Sequence, residues 1–247
     1  MSFGSITVAG TAITTWTGHS RLLKYGSGSR RGRNHLIPFR DGEHSDPVKW
    51  NTPTDLLLEV QLLHTPNTHL EYLSGLLAAL TDPINLVTLG ATGTFHGAVQ
   101  AAVELMSEPI MSPSDPSMWT FRLHCPKGVW EDASASSNAG NPPAVTTTGD
   151  RPIDDMILTF PHVNATASYL NHTDSNSVQS RITIDAAAPT GSYVVDCGAR
   201  TVLVGAAAND AYLTITQPWW MRFEPNLAQT FASTVSVTVS WRDKWSI

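Results

Sequence analysis

Ser233–Trp241 reads STVSVTVSW. Val235, Val237, Val239 and Trp241 alternate with Thr234, Ser236, Thr238 and Ser240 without a fault. A period of two puts the valines and the tryptophan on one face and the hydroxyls on the other. That is an antiparallel strand with one buried and one solvated face. Upstream, DDMILTFPHV, SRITIDA, SYVVDC, RTVLV, AYLTIT and WWMRFEP are also short and bounded by turn residues. Seven such runs at this spacing predict a β-sandwich or barrel over residues 150–247.

Before them lies EDASASSNAGNPPAVTTTG, Glu131–Gly149, poor in large apolar residues. It predicts a linker over 131–149 and so a domain boundary, with a first domain over 1–130. In that domain FGSITVAGTAITTWT reads as short strands with glycine breaks. In DLLLEVQLLH, Leu56, Leu58, Val60 and Leu62 share one strand face. One helix is predicted over about 67–80, NTHLEYLSGLLAAL. Thr68 and Glu71 suggest a capping box, and Leu70, Leu73, Leu77 and Leu80 a core stripe. The helix stops at Asp82-Pro83. INLVTLGATGTFHG, AVQAAVELMSEPIM and MWTFRLHCP follow as strands, so this domain reads as a sheet covered by a helix. The fold class is mainly β, with an α+β first domain.

The chain has 247 residues, 41% hydrophobic and 15% charged, with a net charge of −6. An acidic molecule of this kind is not a general nucleic-acid binder. Charge is uneven, however: from Arg21 to Lys49 there are seven Lys/Arg against three Asp/Glu, leaving eight against eighteen elsewhere. A basic segment and an acidic remainder suit head-to-tail contact between copies. No secretion signal is expected from MSFGSITVAGTAITTW, and no run is long and apolar enough for a membrane helix. Cys125 and Cys197 sit in apolar-alternating runs and read as buried free thiols, consistent with synthesis in a reducing cytoplasm, with an interdomain disulfide as the less favoured alternative.

Catalytic motifs are missing from the sequence. GSGSRRG lacks the spacing of G-x-G-x-x-G and the Gly-Lys-Ser/Thr ending of a phosphate loop. There is no G-x-S-x-G elbow, no C-x-x-C and no H-E-x-x-H. His162, His172 and Asp174 form a triplet that could hold a metal, although such residues on a β surface are more often solvated. Adjacent acids, Asp154-Asp155 and Glu131-Asp132, point to opposite faces if they lie in strands, so they do not read as a catalytic pair. Trp219 and Trp220 could stack on a sugar, which makes a lectin-like module the alternative reading. Core and contact packing, with Trp241 and Trp245 nearby, is the favoured one.

The remaining stretch is KYGSGSRRGRNHLIPFRDGEHS, Lys24–Ser45. It has too few cations and no aromatic platform for a nucleic-acid arm. Gly26, Gly28 and Gly32 supply bends, Leu36, Ile37 and Phe39 an apolar patch, and Pro38 a blunted edge. A two-stranded hairpin of this kind is marginal by itself and makes sense when another molecule completes it.

In order along the chain, RRGRNHLIPFRDGEHSDPVKW, DLLLEVQLL, HLEYLSGLLAAL, DPINLVTLG, PWWMRFEPNLAQTF and STVSVTVSWRDKW resemble the distal tail proteins of siphophages, particularly those of actinobacterial phages. The Pro-Gly that usually precedes the turn asparagine appears here as Glu224-Pro225-Asn226. The resemblance implies an N-terminal β-sandwich with one helix and an extended "belt" hairpin, here about residues 25–50, and a galectin-like C-terminal sandwich. It implies a non-enzymatic virion protein, a minor tail protein or baseplate hub, whose homohexameric ring joins tail tube to host-attachment tip. It further implies partners among the tail tube, tape-measure and receptor-binding proteins, a lumen through which genome DNA passes without specific binding, no cofactor and no membrane insertion. The implied location is the distal end of the virion tail, assembled in the host cytoplasm. The subunit contacts it implies are Arg30, Arg31, Arg33, Leu36, Phe39, Arg40 and Trp50.

Overall fold

Leu56, Leu58, Val60 and Leu62 are all buried, on a strand whose burial alternates as the sequence does. This strand belongs to the first of two compact units, Met1–Ala133 with Ser246–Ile247; the second is Ser134–Trp245. The computed structural model describes residues 6–25, 30–31, 34–36, 43–45, 50–51, 54–63, 69–81, 85–89, 98–106, 108–205, 207–208, 211–216 and 221–246.

The first unit contains β1 (Ile6–Val8), β2 (Thr11–Ala12), a 3₁₀ turn (Ile13–Thr15) and β3 (Thr17–Tyr25). The short β4 (Arg30–Arg31), β5 (Asn34–Leu36), β6 (Glu43–Ser45) and β7 (Trp50–Asn51) come next, then β8 (Thr54–Leu62) and α1 (His69–Thr81). β9 (Asn85–Leu89), β10 (Val99–Leu105), β11 (Ile110–Ser112), β12 (Asp115–Cys125) and β13 (Val129–Asp132) follow. Strands run in the order β2-β1-β9-β10-β12-β8-β3, all antiparallel, with β11 beside β12. Phe121 and Leu123 of β12 join the β8 leucines in the core.

Helix α1 packs against β8, β9 and β10. It buries Leu73, Leu76 and Leu80, leaves Leu77 half-buried and leaves Leu70 62% exposed. This corrects the expected stripe of Leu70, Leu73, Leu77 and Leu80. Spacings of three and four both fit one helical face, and the leucine-rich run offers two overlapping stripes; contact with the sheet chooses between them. Thr68 of the expected capping box lies outside the described residues. A Cβ on Gly75 would lie 2.7 Å from the indole nitrogen of Trp16, the residue after the 3₁₀ turn.

The second unit is made of β14 (Ser136–Gly140), β15 (Ile157–His162), β16 (Ser168–Thr173), β17 (Gln179–Ile184) and β18 (Gly191–Asp196). It continues through β19 (Thr201–Val204), β20 (Ala207–Ala208), β21 (Leu213–Thr216), β22 (Thr230–Ser233) and β23 (Val237–Trp241). The sheets β14-β23-β15-β18-β19-β20 and β21-β17-β16-β22 close over one core that includes Phe160, Leu170, Ile182, Tyr193 and Phe223. This is the expected sandwich. Val237, Val239 and Trp241 face its core, as their alternation requires.

Two expectations need correction here. The stretch 131–149 is not a free linker, because Ser136–Gly140 pairs with β23 as an edge strand and Val145 and Thr147 are buried. An edge strand needs backbone hydrogen bonds more than bulk, so small residues disguise it. Near WWMRFEP, Met221 and Phe223 are buried, but Phe223 makes only an isolated bridge with Ile153. Trp219 and Trp220 lie outside the described residues. β16, β22 and β14 are strands that the reading by alternation missed.

Three polar side chains of the second unit, His162, His172 and Gln229, are buried with hydrogen-bond partners. His172, between Phe223 and Phe231, donates from Nε2 to Gln229 Oε1 at 2.9 Å, and burial pushes its pKa down. The Gln229 amide donates to the carbonyls of Glu224 and Leu227, holding the turn in which Asn226 has φ +51°. His162 pairs with Ser168 Oγ and the Ala188 carbonyl. Asp174 instead caps its own turn through the N–H groups of Asn176 and Val178. The triplet His162, His172 and Asp174 therefore does not converge, and the histidines are core rather than solvated. Cys125 and Cys197 are buried free thiols.

Asp154 and Asp155 both reach Lys244 Nζ, at 2.7 and 2.9 Å, because they lie in irregular chain rather than in a strand. Asp243 accepts hydrogen bonds from the N–H groups of Thr148 and Gly149, fastening the chain end beside 148–155. A Cβ on Gly149 would overlap the Lys244 carbonyl and lie 2.7 Å from its nitrogen. Backbone cannot swing aside as a side chain does. Gly149→Ala is expected to destabilise the second unit by about 1–3 kcal/mol, read as a lower urea midpoint; an unchanged midpoint would mean the two segments separate freely.

Candidate functional site

The candidate site is the basic arm and the sheet edge from which it grows. β3 and β8 pair along their length, from Thr17↔Leu62 to Tyr25↔Asp55. Beyond Tyr25 the same two chain segments pair again. Arg30 stands opposite Asn51 and Arg31 opposite Trp50, then Asn34 opposite Ser45, His35 opposite His44 and Leu36 opposite Glu43. The register differs among the three paired segments.

Of the residues implied as subunit contacts, Arg30, Arg31, Leu36 and Trp50 thus fall in the paired strands of the arm. Arg33, Phe39 and Arg40 lie outside the described residues. At the arm's root, β3 ends the strand path, and no strand covers its outer edge among the described residues. Such an edge presents N–H and C=O groups that another chain can pair with.

The solvent face at the root carries ion pairs that sequence reading did not find. Arg21 of β3 binds Glu59 of β8. Asp55 of β8 accepts from Arg122 Nε at 3.1 Å and Nη2 at 2.6 Å, and its Oδ1 lies 2.9 Å from His124 Nδ1. The alternation of Arg122 and His124 on β12 was visible, but their partner stands 67 and 69 positions away. Only the register β8–β12 brings it there.

The hydrogen bonds from His124 and then Arg122 hold the Asp55 carboxyl below its ordinary value of 3.8. A carboxylate whose folded pKa is lowered stabilises the fold above its unfolded value, and that contribution is lost as pH falls through the folded one. Stability of the first unit should therefore decline below about pH 4, and Asp55→Asn should flatten that decline. Parallel pH profiles for the two proteins would remove Asp55 from the account.

No protein-family model matches the chain, and no curated protein sequence does. Among solved structures, the Dit protein of phage SPP1 aligns with a TM-score of 0.70 at 13% identity, covering 99% of each chain. The chain has the Dit fold. SPP1 Dit is described as a paradigm of the hub adsorption apparatus in phages that infect Gram-positive hosts. Weaker likenesses are to chains of the phage p2 baseplate in its activated conformation. With Sr the TM-score is 0.49, at 7% identity over 96% and 97% of the two chains; with Ca it is 0.44, at 7% over 90% of each. Neither is near enough to bear on function. The Dit fold accounts for both units together, since the alignment with SPP1 Dit runs end to end.

Proposed function

We propose that this protein is a structural component of a phage tail, a distal tail protein whose copies close into a homohexameric ring. The ring joins the tail tube to the host-recognition tip and leaves a channel for DNA. The observation that carries this reading is the end-to-end Dit fold. The arm supports it as well, because its ladder continues from an edge hairpin and invites completion by a neighbour.

In this reading the first domain, about 1–130, builds the ring, and a galectin-like sandwich over about 150–247 is an attachment platform for the tape-measure or receptor-binding proteins. The protein works at the distal end of the virion tail and catalyses nothing. With a net charge of −6, it lets DNA pass without gripping it. Arg30, Arg31, Arg33, Leu36, Phe39, Arg40 and Trp50 contact the next subunit.

Light scattering of the purified protein should give the mass of a hexamer, and negative-stain images should show an annulus with a pore wide enough for duplex DNA. A monomer at every concentration, with no annulus, would refute the ring.

A further inference from the structure

On β16 and β17 of the second unit, Leu170 and Ile182 enter the core while Tyr169, Asn171, Arg181 and Thr183 face outward, half-buried. The register sets Asn171 opposite Arg181 and Tyr169 opposite Thr183, with Ala232 of β22 and Thr214 of β21 at their flanks. Arg181 thus lies on the diagonal from Tyr169, and its guanidinium carbon sits 3.7 Å from the centre of the Tyr169 ring. The ring's own strand is pinned there, because the Tyr169 N–H donates to Thr234 Oγ1 at 3.0 Å.

We propose that this sheet face binds an acidic glycan, a sugar polymer carrying carboxylate or phosphate groups. The site is remote in sequence from the arm and holds whether or not copies of the chain form a ring.

Charge argues for the acid. Among the described outward residues of β16, β17, β21 and β22, Arg181 is the only charged one. A guanidinium stacked on a ring uses its flat face and keeps its in-plane N–H fork, whose geometry matches carboxylate or phosphate oxygens. The stack also orders the arginine beforehand, which lowers the entropy cost of binding. The outward row of the opposite sheet, Thr238, Thr159, Val194 and Leu203, has neither cation nor aromatic ring.

Hydroxyl chemistry argues for the sugar. Asn171, Thr183 and Thr214 each offer a donor and an acceptor, as sugar hydroxyls do. A peptide would instead be read at a strand edge through main-chain hydrogen bonds, which a sheet face does not present. The net charge of −6 opposes general attraction of polyanions, so binding of one must come from a local site.

The test probes the full chain by biolayer interferometry with polygalacturonate, phosphomannan, neutral mannan and poly-glutamate. Binding is expected to one or both acidic glycans, the two arms telling carboxylate from phosphate, and to neither control. Arg181→Ala should weaken it about tenfold or more, as loss of a charge-assisted contact does. Arg181→Lys should restore little, because an ammonium lacks the planar fork. Asn171→Asp is close in size and sets a carboxylate opposite Arg181, so it should also abolish binding. Unchanged urea midpoints would show that these variants keep the second unit folded.

Three results would overturn the assignment. Retention of neither acidic glycan removes the site. Binding that survives both Arg181→Ala and Asn171→Asp places the ligand elsewhere. Equal binding of mannan removes the role of charge, and equal binding of poly-glutamate removes the sugar.

Discussion

Replacing residues 26–54 with a two-residue Asn-Gly turn is expected, on the ring reading proposed above, to leave the protein monomeric while both units stay folded. Tyr25 and Asp55 are already cross-strand partners at the end of the β3–β8 ladder, so the shortened chain closes a pairing that exists. Asn-Gly suits the tight turn between two antiparallel strands, and loop-closure entropy changes slowly with length. Excision removes Arg30, Arg31 and Trp50 but leaves the β8 core residues in place. The readouts are mass by light scattering and an unchanged urea midpoint for the first unit. A full-sized oligomer after excision would refute the arm as the assembly device. Loss of the fold would show that the arm stabilises its own unit instead.

Phe160→Ala is expected to lower the unfolding free energy of the second unit by about 3–5 kcal/mol, the range for a large aromatic deleted from a packed core. Phe160 is wholly buried on β15, directly opposite Tyr193 of β18. Leu170 and Ile182 of the other sheet are equally buried in the same core. Tyr193 is held by its own hydrogen bond to the Pro189 carbonyl, so it has little freedom to fill the void. The loss is a large share of the roughly 5–15 kcal/mol that a domain has in total. Phe160→Leu, nearer in volume, should cost far less. Urea unfolding compares the three proteins, and equal midpoints for alanine and wild type would mean that the site collapses freely.

Both predictions lean on features that differ in how far they can be read from sequence. The basic run stood out in the sequence because glycines, arginines and Pro38 interrupt alternation between two apolar strands. So was the buried face of β8, since a period of two is a local property. The choice among α1 leucines was not, because two stripes overlap in one leucine run. β14 escaped for the opposite reason: Ser, Ala, Asn and Gly carry no apolar signal, and pairing with β23 makes it a strand.

What the sequence by itself determined was the β class, the helix of the first unit and the buried face of β8. Periodicity and turn residues act within a few positions, and that suffices for those features. Tertiary structure alone decided that Asp55 meets Arg122 and His124, and that His172 is buried against Gln229, 57 positions away. It alone left Leu70 exposed while burying Leu76. Register and burial depend on which distant strand arrives alongside, and no local pattern carries that information.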